Sequence, residues 1–249
     1  MKPFKCLAIL FLLVYTTCSS LAQSKPDTLK VLFVGNSYIY VSNIPHLVSL
    51  ISDSTQTKLL TAKSTSGGVR LSDHWRGEQG LRTKELIKNG DYDVVVLQEQ
   101  SMGTIEQPDS FRIYSKKFSD YIKEHGGKPY FYATWAREKV PQFQKTITEA
   151  YNRAASENGA GIVSVGEAWA LAKKYRPEIK LYQTDGSHQS PLGAFLAACL
   201  FVAVLSDEIP KKLPNGYGVL DANGESVRIT RLDPLDITFC LKVVDELSR

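Results

Sequence analysis

Cysteine is scarce in this 249-residue chain: Cys6 and Cys18 lie near its start, Cys199 and Cys240 near its end, and there are no others. No cysteine spacing matches a zinc site, and His46, His74, His125 and His188 contain no H-E-x-x-H pattern, so no metal is expected. A Gly-rich phosphate loop ending in Gly-Lys is also missing, and Gly67-Gly68 lacks the spacing of a dinucleotide fingerprint, so no nucleotide cofactor is expected. Charge of one sign is lacking too. Thirty Lys+Arg against 26 Asp+Glu leave +4, too little and too dispersed to indicate a nucleic-acid partner. No apolar run reaches the roughly 20 residues that a membrane helix requires. Repeats and low-complexity tracts are absent, and 43% hydrophobic with 22% charged residues excludes a disordered chain, a collagen and a coiled-coil rod.

The first residues have the pattern of an export signal. Lys2 and Lys5 precede the apolar run Leu7 to Val14, and small residues follow as far as Ser20-Leu21-Ala22. Cleavage after Ala22 is expected, leaving residues 23–249 as a single domain in a secreted or periplasmic protein. A lesser reading makes Cys18 a lipidated N-terminus, although Tyr15 stands where such a signal has leucine. After cleavage only Cys199 and Cys240 remain, both in apolar helical patterns. Burial as small hydrophobes and pairing in a disulfide both stay open.

Five short apolar runs are predicted to be strands: Leu29 to Val34, Lys58 to Lys63, Tyr92 to Leu97, Pro129 to Thr134 and Gly161 to Val165. They are continuous, not alternating, as expected of a parallel sheet covered on both faces. Helical patterns lie between and after them: Pro45 to Ser54, Asp109 to Lys123, Gln142 to Glu157, Pro191 to about Leu205, and a last one from Asp233-Pro234. This alternation predicts a doubly wound α/β fold, with a small hairpin turning at Asn223-Gly224 inside a 215–249 tail.

Ligands of such sheets bind beyond the carboxyl ends of the strands. Gly35-Asn36-Ser37 follows strand one and would expose the Ser37 hydroxyl at a strand-to-helix turn. Gly67-Gly68 follows strand two, where the Gly68 N–H is a candidate oxyanion donor. Gln98-Glu99-Gln100-Ser101 follows strand three and brings side-chain amides to the edge. Asp185-Gly186-Ser187-His188 comes late, just before the N-cap Ser190. A spacing of three lets the carboxylate orient the imidazole, and the imidazole take a proton from a serine.

Together, Gly35-Asn36-Ser37, Gly68, Gln98 to Ser101 and Asp185-x-x-His188 resemble the four sequence blocks of the SGNH (GDSL-type) hydrolases, over roughly residues 30–205. The resemblance implies a flavodoxin-like three-layer α/β/α fold with a mostly parallel five-stranded sheet, and a cofactor-free esterase or lipase. It implies Ser37 as nucleophile, His188 as base and Asp185 as its orienter. Ser37 N–H, Gly68 N–H and Gln100 would form the oxyanion hole, with Gln98 as the alternative to Gln100. The chain departs from the family at Asn36, where an aspartate is usual, and at Gln100, where an asparagine is usual. A small acyl ester or an acetylated glycan is the expected substrate. Two other functions remain open: a non-catalytic carbohydrate-binding module of the same fold, and an acyltransferase with the same triad.

Other polar and aromatic residues carry lesser expectations. Asp73-His74 is expected to be a surface pair, and Glu99 with Glu106 has no support as a glycosidase pair beyond its two carboxylates. Trp75 and Trp135 would bound a sugar site, whereas Trp169 is expected in the core.

Overall fold

The computed structural model describes residues 28–248, so the expected export signal lies outside the described residues. The strands β1 (Thr28–Gly35), β2 (Lys58–Thr65), β3 (Val94–Leu97), β4 (Lys128–Tyr132) and β5 (Gly161–Val163) form one parallel sheet in the order β2-β1-β3-β4-β5. Because side chains alternate across a strand, each continuous apolar run feeds two cores. Val31, Phe33, Val94 and Val96 point to one face, and Leu32, Val34, Val95 and Leu97 to the other.

Ten α-helices are described: α1 (Ser37–Tyr40), α2 (Ile44–Ser52), α3 (Leu71–Arg76), α4 (Thr83–Asn89), α5 (Gly103–Glu106), α6 (Pro108–Glu124), α7 (Gln144–Glu157), α8 (Val165–Tyr175), α9 (Pro191–Ser206) and α10 (Pro234–Leu247). Apolar residues of α2, α8, α9 and α10 cover the first face, and those of α3, α4, α6 and α7 the second. The result is the three-layer α/β/α architecture expected from the sequence. The short helices α3, α4 and α5 were not expected, because so few residues leave no readable 3.6-residue period. Strand β5 stops at Val163, where Ser164 opens α8.

Helix α9 is apolar on nearly all sides and is the central buried helix of its layer. Ser190 caps it by accepting the Gly193 N–H at 3.1 Å, and Pro191 supplies its first turn. At Gly193 a Cβ would come within 2.3 Å of the Leu181 carbonyl oxygen and 2.6 Å of the Trp169 ring, so the close approach requires glycine. Cys199 on α9 and Cys240 on α10 are buried free thiols, which settles the open alternative against a disulfide. Burial pushes both thiol pKa values up, that of Cys240 to about 12. The tail forms the expected hairpin, β6 (Gly216–Leu220) against β7 (Ser226–Arg231), with Gly224 at φ 80° in its turn. No helix among the described residues is long and apolar enough to cross a membrane.

Candidate active site

Strand β1 ends in a turn that is held from beneath. A Cβ on Gly35 would lie 2.4 Å from Gln98 Oε1, so only glycine fits. That oxygen accepts the Asn36 N–H at 2.9 Å, while Gln98 Nε2 donates to the Glu99 carbonyl. Asn36 caps α1 by accepting the Tyr38 N–H at 3.1 Å, and its Nδ2 donates to the Val69 carbonyl at 3.0 Å. The second bond draws the loop bearing Gly68 onto the turn. An aspartate at this position, ionised, has no proton to donate there.

His74 is fully buried under the same turn, contrary to its expected place in a surface pair. Its Nε2 lies 2.9 Å from the Gly35 carbonyl and its Nδ1 lies 2.7 Å from Thr83 Oγ1. A carbonyl only accepts, so the ring proton sits on Nε2, and the Thr83 hydroxyl donates to Nδ1. Ser64 Oγ completes the chain, 2.8 Å from Thr83 Oγ1. Burial lowers the His74 pKa to about 4, which keeps the ring neutral.

The second turn holds itself. Gly186 at φ 65° reverses the chain, and Gln183 N–H donates to the His188 carbonyl at 2.8 Å. Asp185 Oδ1 accepts the N–H groups of Ser187 and His188, both at 2.9 Å, and Oδ2 accepts from His188 Nδ1 at 2.5 Å. These bonds, the imidazole first, hold the Asp185 carboxyl down at about 2. With Nδ1–H committed to the carboxylate, His188 Nε2 is left to accept, and Ser37 Oγ lies 2.8 Å from it. The structure therefore brings Ser37, His188 and Asp185 into one hydrogen-bonded line. Gln189, buried behind this turn, donates to the Tyr38 and Val41 carbonyls. Trp135 Nε1 donates to the Ser187 carbonyl at 2.9 Å.

The three candidate oxyanion donors lie in the segments that follow β1, β2 and β3. As the first residue of α1, Ser37 has no intrahelical acceptor for its N–H. Gly68 is exposed at φ 69°. Gln100 Oε1 accepts the Met102 N–H at 2.8 Å, which leaves its NH2 as the group able to donate. Gln98, the alternative, is buried with both ends of its amide spent on the turn. Strand β3 ends at Leu97, so the alternation that would set residues 98 and 100 on the same side does not extend to them.

Glu99, between the two glutamines, is buried and clamps two loops together. It accepts the Gln100 N–H at 2.7 Å and the Leu71 N–H at 3.3 Å, and its own N–H donates to the Tyr151 hydroxyl at 3.0 Å. Burial raises its pKa to about 7. Glu106 instead pairs with Arg70 at 3.2 Å on the surface, so the two carboxylates have separate structural uses.

The tryptophans do not form a sugar platform. Trp135 and Trp169 stack on each other at 3.9 Å and each is 1% exposed, which corrects the expectation for Trp135. Trp75 packs against Phe118, and the Lys84 and Lys117 ammonium groups lie 5.0 and 5.6 Å from its ring centre. The residues that sequence reasoning missed, Gln98 as a support, His74 and Gln189, act on carbonyls or amides of the Ser37 turn from distant positions. Only Gln98, just beyond the apolar run Val94 to Leu97, carried a readable signal.

No protein-family model matches the sequence, and no curated protein matches it. Solved structures do. One is a protein assigned to the SGNH hydrolases from Slackia heliotrinireducens, with 25% identity, TM-score 0.59, and coverage of 72% of this chain and 99% of that one. A DUF4886 family protein from Bacteroides uniformis has 18% identity and TM-score 0.71, over 88% of this chain and 94% of its own. The acetyl xylan esterase AlAXEase has 14% identity and TM-score 0.54, over 70% and 98%. The fold is thus that of the SGNH hydrolases, as the sequence blocks implied.

Proposed function

We propose that this chain, an SGNH-type hydrolase in its fold, is a serine ester hydrolase acting through Ser37, His188 and Asp185. The observation that carries this reading is the line from Ser37 Oγ to His188 Nε2 at 2.8 Å and from His188 Nδ1 to Asp185 Oδ2 at 2.5 Å. Ser37 Oγ attacks the ester carbonyl carbon while His188 Nε2 takes the hydroxyl proton. Asp185, ionised at any working pH, stabilises the imidazolium so formed. The negative charge moves onto the carbonyl oxygen, where Ser37 N–H, Gly68 N–H and the Gln100 amide donate to it. His188 returns the proton to the leaving alcohol, and an acyl-enzyme remains. Water, deprotonated by His188, attacks that acyl carbon, and collapse of the second tetrahedral intermediate frees the acid and Ser37.

The substrate in this reading is a small acyl ester, including O-acetyl groups on carbohydrate. The fold likeness to an acetyl xylan esterase supports that class. The buried tryptophans give it no support. Residues 23–249 act as one catalytic domain, exported by the segment 1–22.

Hydrolysis of 4-nitrophenyl acetate by the wild type and by Ser37→Ala tests the proposal, together with labelling by a fluorophosphonate. Turnover and labelling in the wild type, both lost in Ser37→Ala, are expected. Equal turnover in the variant overturns the mechanism. Added alcohol acceptors identify a transferase if acyl transfer to the alcohol outruns hydrolysis.

A further inference from the structure

Arg137 follows β4 at the same sheet edge as Ser37 and is half-buried. Its Nε and Nη2 both donate to Ser101 Oγ, at 3.1 and 2.8 Å. The other half-buried arginines pair with carboxylates: Arg70 with Glu106 and Arg176 with Asp236. Among the described residues Arg137 forms no ion pair. A partly desolvated guanidinium ordinarily finds an anion, because leaving the charge uncompensated is costly. Ser101 takes two of its five N–H donors, and a planar guanidinium with donors to spare fits a carboxylate.

Its neighbours adjoin Ser37 and His188. The Tyr38 hydroxyl, within reach of both Arg137 and Ser101, lies 2.8 Å from Ser187 Oγ. Tyr38 follows Ser37 in the chain, its ring meets the His188 ring edge-on at 5.6 Å, and Ser187 precedes His188. Burial raises the Tyr38 pKa, so its hydroxyl stays neutral and able to donate. Three hydroxyls and one cation therefore gather at the border of the site. The nearby acids do not neutralise the cation: Asp185 is committed to His188, and Glu138 is exposed beside Gly186.

We propose that Arg137, with the Ser101, Tyr38 and Ser187 hydroxyls, forms a carboxylate-binding subsite, and that the preferred substrate is an ester carrying a carboxylate. This deepens the esterase reading and rests on it. An O-acetylated acidic sugar has both features in one molecule.

The experiment separates binding from turnover. In a Ser37→Ala background, calorimetry compares 4-acetoxybenzoate with its neutral analogue 4-acetoxybenzamide, and mono-4-nitrophenyl succinate with 4-nitrophenyl butyrate. The two pairs put the carboxylate on the alcohol side and on the acyl side. We expect at least one anionic ester to bind tenfold or more tightly than its neutral partner, and added Arg137→Gln to erase that ratio. Arg137→Lys, which keeps the charge and loses the fork, should retain part of it. In the Ser37-containing enzyme the kcat/KM ratio within the pair should fall in the same way. A merely structural Arg137 would weaken both members of a pair equally, and ratios unchanged by Arg137→Gln in both pairs overturn the subsite. If the anionic ester binds selectively but the wild type hydrolyses no ester, the subsite stands and the esterase reading fails.

Discussion

The two turns that meet at the Ser37–His188 hydrogen bond are built in opposite ways. The Ser37 turn is held by distant residues: Gln98, 62 positions from Asn36, His74, 39 positions from Gly35, and Val69, 33 positions from Asn36. The Asp185–His188 turn is held mainly by its own residues, with Asp185 bonded two and three positions on, and distant groups reach only its middle at Gly186 and Ser187. The first is buried and the second partly exposed, with 45% of the Asp185 side chain accessible. The position of Ser37 is thus a property of the whole sheet edge, and the orientation of His188 largely a property of a few residues. Substitutions in the two turns should therefore separate stability from activity.

Under the proposed mechanism the largest effect is expected at Ser37 and His188. Ser37→Ala and His188→Ala should each lower kcat by roughly 10⁴–10⁶ while thermal unfolding shifts little, because the backbone N–H bonds to Asp185 and the Gln98 bond to Asn36 that hold the two turns remain in both variants. Steady-state kinetics beside a melting curve checks this, and a large loss of stability in His188→Ala would break the contrast between the turns. Next comes Gln100→Ala, expected to lower kcat by roughly 10²–10³ with little change in KM and a stability cost within about 1 kcal/mol.

Gln98→Ala is the inverse case. It leaves the buried Asn36 N–H without its acceptor, so about 2–3 kcal/mol of stability should be lost. For a chain of this size that is a fall of roughly 5–10 °C in Tm. A stable Gln98→Ala protein with a large kcat defect would return Gln98 to the oxyanion hole and remove it as a support.

The same division explains what the sequence could and could not disclose. Asp-x-x-His is a local device, so spacing alone exposed Asp185 and His188. The five strands were legible because each is a short apolar run, and the α9 cap because Ser190-Pro191 is contiguous. Gln98, His74 and Glu99 act across the sheet edge. Their partners are backbone groups of residues far away in sequence, and no spacing rule reports on those. Trp135 misled for a related reason: its position after β4 is at the edge, but stacking on Trp169 and Tyr38 turns its faces inward.

The smallest effect is on the pH profile of stability. Glu99, raised to about 7 from 4.5, makes the folded state bind more protons than the unfolded between those values, so its contribution falls as pH rises through that window. His74, lowered from 6.5 to about 4, has the opposite sign: the unfolded state binds more protons there, and stability is lost on acidification. The two slopes overlap and partly cancel. In Glu99→Gln the loss toward pH 4 should stand unmasked in denaturant titrations, and an unchanged profile would count against the burial-raised Glu99. Asp185, held at about 2, stays charged throughout that window and contributes no slope there.

Cys199 and Cys240 have a consequence for biogenesis. Sealed between α9 and α10 and held far from the thiolate form, neither sulfur can attack a disulfide or be captured by an oxidant while the fold stays closed. Among the described residues the closed fold thus contains no disulfide for an oxidoreductase to form or reshuffle. Reductant in a refolding buffer should make no difference to the product once the chain has closed, and aerobic storage should leave both sulfurs reduced.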